Sequence, residues 1–210
     1  MTKIALVAGG DKGKIPTSYD LFVGVDRGAL YLLEEKLPLD VAVGDFDSVS
    51  FEERERICQA TAIFIEAPAE KDDTDLELAL KEVFARYPKA QATVFGAFGG
   101  RLDHMMSNLF LASEPDLAPY MRQIELVDDM NIVRFYPAGR YKISPIPGMT
   151  YVSFMPSDDS RLTIADAKYP LEESNYFVKK CYSSNEFIGK EIEFTIDKGY
   201  VVLIYSRDRR

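Results

Sequence analysis

The stretch Asp40-Val-Ala-Val-Gly-Asp-Phe-Asp-Ser-Val49 decides the fold. Its first half, Asp40–Val43, is a short apolar, β-branched run that ends at a glycine, as a buried strand does. Its second half turns acidic, and Ser50-Phe-Glu-Glu53 then forms a capping box that opens a helix. This strand, acidic loop and helix recur on both sides. Upstream, Lys3–Ala8 ends in Gly9-Gly10, and Leu21–Val25 is followed by Asp26 and a helical pattern over Ala29–Lys36 that stops before Pro38. Downstream, Ala62–Ile65 is a strand, and Thr74-Asp-Leu-Glu77 is a second capping box. It opens a helix that carries Leu76, Leu80, Val83 and Phe84 on one face. Ala92–Gly96 is a fifth strand, and Gly99-Gly-Arg-Leu-Asp103 leads into a helix with Met105, Met106, Leu109 and Leu111; Ile124–Val127 is a sixth strand.

Strands alternating with helices predict a mostly parallel sheet covered on both faces, a three-layer α/β/α domain over residues 1–125. Right-handed crossovers then collect the loops that follow the strands along one edge, where open α/β sheets bind ligands. After Asp128 the character changes. Short β-rich runs at Ile132–Tyr136, Arg140–Ile143, Tyr151–Phe154, Arg161–Ile164, Tyr176–Val178, Glu191–Ile196 and Tyr200–Tyr205 predict a C-terminal antiparallel β-sandwich or partial barrel over residues 126–210. Asp197-Lys-Gly199 reads as a hairpin turn.

The bulk properties exclude several classes. The formal charge of −9 on 210 residues argues against a nucleic-acid binder, which needs a basic face to displace counterions. No run approaches the roughly 18 apolar residues of a membrane span, and the N-terminus does not have the pattern of an export signal. Cys58 and Cys181 show no metal-ligand spacing, so reduced thiols and a cytoplasmic protein are expected. No GxxxxGK[ST] sequence is present, which removes the P-loop class.

Aspartates follow four predicted strands. Asp45 and Asp47 alternate on what reads as an extended segment, so both carboxylates face one pocket. Left bare they would repel, and a divalent cation removes that conflict. The competing reading is a pair of turn residues. Asp72, Asp73 and Asp75 lie in Lys71-Asp-Asp-Thr-Asp75, where Asp75 also suits the positive end of a helix dipole. Asp103 sits in Gly99-Gly-Arg-Leu-Asp-His104 and is either a helix cap or part of a phosphate site; glycines and a helix N-terminus admit an anion, and the fork of Arg101 matches phosphate oxygens. Asp26 is likewise a cap or a fourth site carboxylate.

In this order, and with Asp26-Arg-Gly28 ahead and Ser184-Asn-Glu186 behind, Gly44-Asp-Phe-Asp-Ser48, Lys71–Asp75 and Gly99–His104 resemble the motifs of thiamine pyrophosphokinases. The resemblance implies transfer of pyrophosphate from ATP to the thiamine hydroxyl, with release of AMP. It also implies a nucleotide-binding α/β catalytic domain, a β-sandwich domain for thiamine binding and dimerisation, and a homodimer with active sites between subunits. By motif match, Asp45, Asp47 and Asp72 would bind Mg2+. Asp75, Arg101 and Asp103 would be catalytic, around the phosphates and the attacking hydroxyl. Asp26, Lys71, Gly99 and Gly100 would hold the nucleotide together with Arg101, and Ser184 and Asn185 would sit near the thiamine pyrimidine. Arg27 departs from a motif that commonly reads Asp-Gly-Gly, and Tyr182-Ser183 from one that often reads Gly-Leu. The chain has no tryptophan, so any aromatic stacking on thiamine falls to Tyr or Phe. Two rivals remain open: a Mg2+-dependent phosphatase of the haloacid dehalogenase type, whose Asp-x-Asp motif Asp45-Phe-Asp47 resembles, and a non-catalytic sensor of thiamine or nucleotide.

Overall fold

The structure, a computed structural model of the chain, describes residues 1–68, 70–157 and 160–209. The chain divides into two compact units, Met1–Asp129 and Met130–Arg210.

In the first unit, strands β1 (Lys3–Val7), β2 (Leu21–Val25), β3 (Val41–Gly44), β4 (Ile63–Glu66), β5 (Gln91–Phe95) and β6 (Ile124–Val127) lie in the order β6-β5-β1-β2-β3-β4. Every pairing is parallel. Helices α1 (Arg27–Glu34), α2 (Phe51–Ala60), α3 (Asp75–Arg86) and α4 (Leu102–Leu109) follow β2, β3, β4 and β5. Right-handed crossovers dictate their sides. The chain steps from β2 to β3 to β4 in one direction, so α1 and α2 share a face; it returns past three strands to β5, so α3 covers the other. The pleat records both layers, because alternate residues face opposite ways. Ala42 packs with Leu30 and Leu32 of α1 and Ile57 of α2, while Val41 and Val43 line the α3 side with Ala79 and Val83.

Both capping boxes form. The Ser50 hydroxyl accepts from the Glu53 N–H while Glu53 accepts from the Ser50 N–H, and Thr74 and Glu77 repeat the exchange. Leu76, Leu80, Val83 and Phe84 are buried, as their shared face predicts. The fourth helix differs from its neighbours. It forms where expected, but none of its residues is buried; Leu111, expected on its apolar face, is buried in a 3-10 turn beyond it.

The second unit contains β7 (Asn131–Ile143), β8 (Tyr151–Pro156), β9 (Leu162–Ala165), β10 (Tyr182–Asn185) and β11 (Ile192–Ser206). All of its recorded pairings are antiparallel. Two long strands replace four expected short ones. Asp197-Lys-Gly199 is not a hairpin turn: β11 continues through it, and its register against β7 shifts between Ile196 and Tyr200. Gly199, at φ 61, supplies the left-handed residue of this bulge, and Pro137-Ala-Gly139 lies opposite. On one side of the bend β11 pairs with β9, and on the other with β8. The two halves close on one core, with the Phe154 and Phe194 rings 5.4 Å apart edge to face. Tyr176–Val178, expected as a strand, is a loop whose hydrogen bonds come from hydroxyls: Tyr176 donates to the Ser160 carbonyl and Tyr182 to that of Phe177.

At one point the first unit has no room for a side chain. A Cβ on Gly28 would lie 1.8 Å from the Val7 carbonyl oxygen, whereas on Gly9 its nearest neighbour would be 3.9 Å away. Gly28→Ala is therefore expected to destabilise the protein by more than about 2 kcal/mol, with Gly9→Ala within about 1 kcal/mol of wild type. Equal urea midpoints for the two variants would contradict this packing.

Candidate functional site

The strand order creates a crevice before any side chain is considered. The chain leaves β1 toward β2 and comes back on the other side of β1 as β5, so the loops after β1 and β5 part company at this switch point. Main-chain bonds brace the gap: Ala8 N–H donates to Phe95 O at 2.8 Å, Gly10 N–H to Gly96 O at 3.0 Å, and Asp11 N–H to Phe98 O at 2.7 Å. Above them lies a cavity of about 330 Å3, lined among others by Gly9, Gly10, Asp26, Asp75, Gly99, Gly100, Arg101 and His104. Gly99 and Gly100 have φ values of 86° and 69°, left-handed conformations that glycine adopts freely.

Beside the crevice, carboxylates gather at the ends of β2 and β3. Ligand oxygens of Asp26, Asp45 and Asp47 lie within 4.8 Å of one another. Alternation along an extended strand is not what aims the pair Asp45 and Asp47. Phe46 between them has φ 56°, and the Asp47 N–H donates to Asp45 Oδ1 at 3.2 Å, closing a tight turn. Asp26 joins them because Val25 pairs with Val43 in the sheet. It occupies the N-cap position of α1 at φ 48°, ψ −124° but makes no side-chain cap bond; instead its Oδ2 accepts from the Ser48 hydroxyl at 2.6 Å. Arg27 donates to the Ser48 carbonyl at 2.8 Å, so both loops meet on Ser48. Asp26 Oδ1 is buried without a hydrogen-bond partner. Burial raises the Asp26 pKa, opposed by the bond from Ser48 and reinforced by the Asp75 and Asp45 charges. Three close carboxylates, one with a buried oxygen left unsatisfied, fit a hard divalent cation that takes oxygen ligands.

The remaining expected residues fall into distinct settings. Lys71 Nζ lies 3.0 Å from Asp75 Oδ1 and 3.5 Å from Asp45 Oδ2. Burial works against its charge, but the two carboxylates outweigh it and raise its pKa. Asp72 is exposed and lies outside the carboxylate group found among the described residues. Asp73 is held by Lys81, which also reaches Glu114 and Asp116. Arg101, not Asp103, is the N-cap of α4, and its fork closes on Asp103 through bonds of 3.1 Å and 2.6 Å. In the second unit Ser184 is exposed at φ 61°, whereas Asn185 is 4% exposed and both ends of its amide bond the main chain of Tyr169. Ser48 had no separate signal in the sequence; its partner Asp26 is distant along the chain and adjacent only through strand pairing.

Comparison with known proteins gives a consistent picture. Residues 14–125 match the family described as thiamin pyrophosphokinase, catalytic domain, and residues 140–201 match thiamin pyrophosphokinase, vitamin B1 binding domain. The chain is 36% identical over 217 residues to thiamine pyrophosphokinase of Bacillus subtilis (strain 168), covering 99% of this chain and 100% of that one. Among solved structures it is similar to a thiamin pyrophosphokinase family protein from Enterococcus faecalis, with a TM-score of 0.91 at 43% identity, covering 99% of this chain and 100% of that one. The thiamine pyrophosphokinase of Bacillus subtilis superposes with a TM-score of 0.80 at 34% identity, again over 99% of this chain and 100% of that one. Among the described residues, no helix is long and apolar enough to cross a membrane.

The Arg101–Asp103 fork sets a measurable charge state, because the Arg101 hydrogen bonds hold the Asp103 carboxyl down at about 2. The pair therefore acts above the ordinary carboxylate range and is lost as pH falls through about 2. In Arg101→Met the Asp103 carboxyl is expected to rise toward the ordinary aspartate value of about 3.9, held somewhat below it by the bond from the His104 N–H. A carboxyl NMR titration that does not move would show that the fork is not formed in solution.

Proposed function

The chain belongs to the thiamin pyrophosphokinase family and is therefore an ATP:thiamine diphosphotransferase, and we propose that the acidic edge and switch-point crevice of its first unit carry that reaction. The thiamine hydroxyl oxygen attacks the β-phosphorus of ATP, the bond from that phosphorus to the α-phosphate oxygen breaks, AMP leaves, and the hydroxyl proton passes to a base. The observation that carries the proposal is the meeting of Asp26, Asp45 and Asp47 within 4.8 Å at the mouth of a glycine-lined crevice.

In this reading Asp45 and Asp47, joined by Asp26, hold Mg2+, with exposed Asp72 as a further donor from the neighbouring loop. The ion would neutralise charge on the polyphosphate. The N–H groups around Gly99 and Gly100 and the N-terminus of α4 face the phosphates, as anion sites at helix starts do. Arg101 exchanges Asp103 for phosphate oxygens; both partners are exposed, so the ion pair given up is a weak one. Asp103, once released, or Asp75 in the first turn of α3, accepts the hydroxyl proton. Ser184 meets the pyrimidine of thiamine, and Asn185, spent on Tyr169, shapes that wall from behind. A cytoplasmic homodimer completes the proposal. Phe177, Val178 and Ile188 of the second unit are 55%, 70% and 53% exposed, an apolar surface suited to a second copy and in keeping with the dimerisation expected of that domain.

Incubation with ATP, thiamine and Mg2+ should yield AMP and thiamine diphosphate in equal amounts, and release of ADP or orthophosphate alone would sink the proposal. Asp47→Asn should lose more than about a hundredfold in turnover with an unchanged melting temperature. Ser48→Ala should weaken metal binding by about 10- to 100-fold through misaimed Asp26. Near-normal turnover in Asp47→Asn would remove that residue from the metal set.

A further inference from the structure

Lys71 occupies the acidic edge as a built-in cation. Its ammonium touches Asp45 and Asp75 and is anchored by the Pro68 carbonyl at 3.2 Å, and its side chain is 15% exposed. The neighbouring cations are committed elsewhere: Arg27 donates to a main-chain carbonyl of Ser48, Arg101 closes on Asp103, and Lys81 serves Asp73, Glu114 and Asp116. Asp45 thus has two claims on it, one from Lys71 and one as a ligand. A divalent ion on Asp45 would lie within a few ångströms of the ammonium, and at that distance in a half-buried setting like charges repel strongly.

We propose that Lys71 couples metal entry to nucleotide entry: while it pairs with Asp45 and Asp75 it weakens binding of a bare divalent ion, and a polyphosphate lifts the block by taking over its ammonium. The inference rests on the metal reading given above and adds a direction to it. The ion binds poorly alone and well with nucleotide, and by linkage each improves the affinity of the other equally. Lys71 acts on the metal through Asp45 and on the polyphosphate directly in this scheme.

The test is Mn2+ binding followed by electron paramagnetic resonance, with and without α,β-methylene ATP, in the full chain. Wild type should bind Mn2+ weakly alone and at least about tenfold more tightly with the analogue, within the usual span of allosteric coupling. Mn2+ held by free analogue is subtracted through a protein-free control. Lys71→Met should bind Mn2+ alone at least about tenfold more tightly and show an analogue effect about tenfold smaller than wild type's, the direct phosphate–metal contribution remaining, while Lys71→Arg should keep wild-type behaviour in both conditions. Thermal melts identify any unfolded variant, and Lys71→Gln then replaces Lys71→Met. Unchanged or weaker Mn2+ binding by a folded, neutral variant would overturn the inference. Asp45→Asn separates this from failure of the site itself: if it leaves Mn2+ binding untouched with and without the analogue, the metal reading fails; if it abolishes binding while the Lys71 variants show no change, only the coupling fails.

Discussion

Like charges crowd the edge of the parallel sheet, and much of the local structure answers that crowding. Strand pairing brings Asp26 beside Asp45 and Asp47, and α3 adds Asp75 from the opposite layer. Dispersal through solvent is not available to the half-buried members. The compensation is instead local: the Ser48 hydroxyl on one oxygen of Asp26, the Lys71 ammonium between two loops, and the Asp47 N–H on Asp45. A second ring of compensation lies outside it. Although burial opposes its charge, Lys81 is held protonated well above the ordinary lysine range by bonds to Asp73, next in sequence to Asp72, and to Asp116.

The two units solve the problem of burying a sheet differently. In the first, helices cover both faces and strands are short. In the second, β7 and β11 are long enough to bend and form both walls of one core, so a single pair of strands does the work of four. The bend exchanges the inward-facing set: Ile192, Phe194 and Ile196 point in before it, and Val201, Leu203 and Tyr205 after it.

That exchange explains what could and could not be read from the chain. An alternating pattern that changes phase across Asp197-Lys-Gly199 looks like two strands and a turn, and distinguishing a bulge requires knowing that the partner bends at the same place. The first unit was legible because each helix carried its own capping box or apolar face and each strand its own β-branched run. The edge strand Tyr182–Asn185 was not, since a polar run with a left-handed Ser184 has no periodic signal. At the site, the motifs fall at the strand ends along one edge of the sheet, as their positions after strands predict. The grouping of Asp26 with Asp45 and Asp47 depended on β2 lying against β3, a fact of strand order that spacing along the chain does not contain.

Asp26 also has a backbone at φ 48°, ψ −124°, a region that glycine tolerates and other residues occupy at a cost of about 1–3 kcal/mol. Strain, burial and repulsion thus fall on one residue, and replacement by glycine would relieve all three. A lineage released from the need for the reaction would find a substitution here thermodynamically downhill, so silent descendants of this enzyme would be expected to be the sturdier proteins. An aspartate retained at this position is, for that reason, a more sensitive marker of a working site than one retained at an unstrained position such as Asp72.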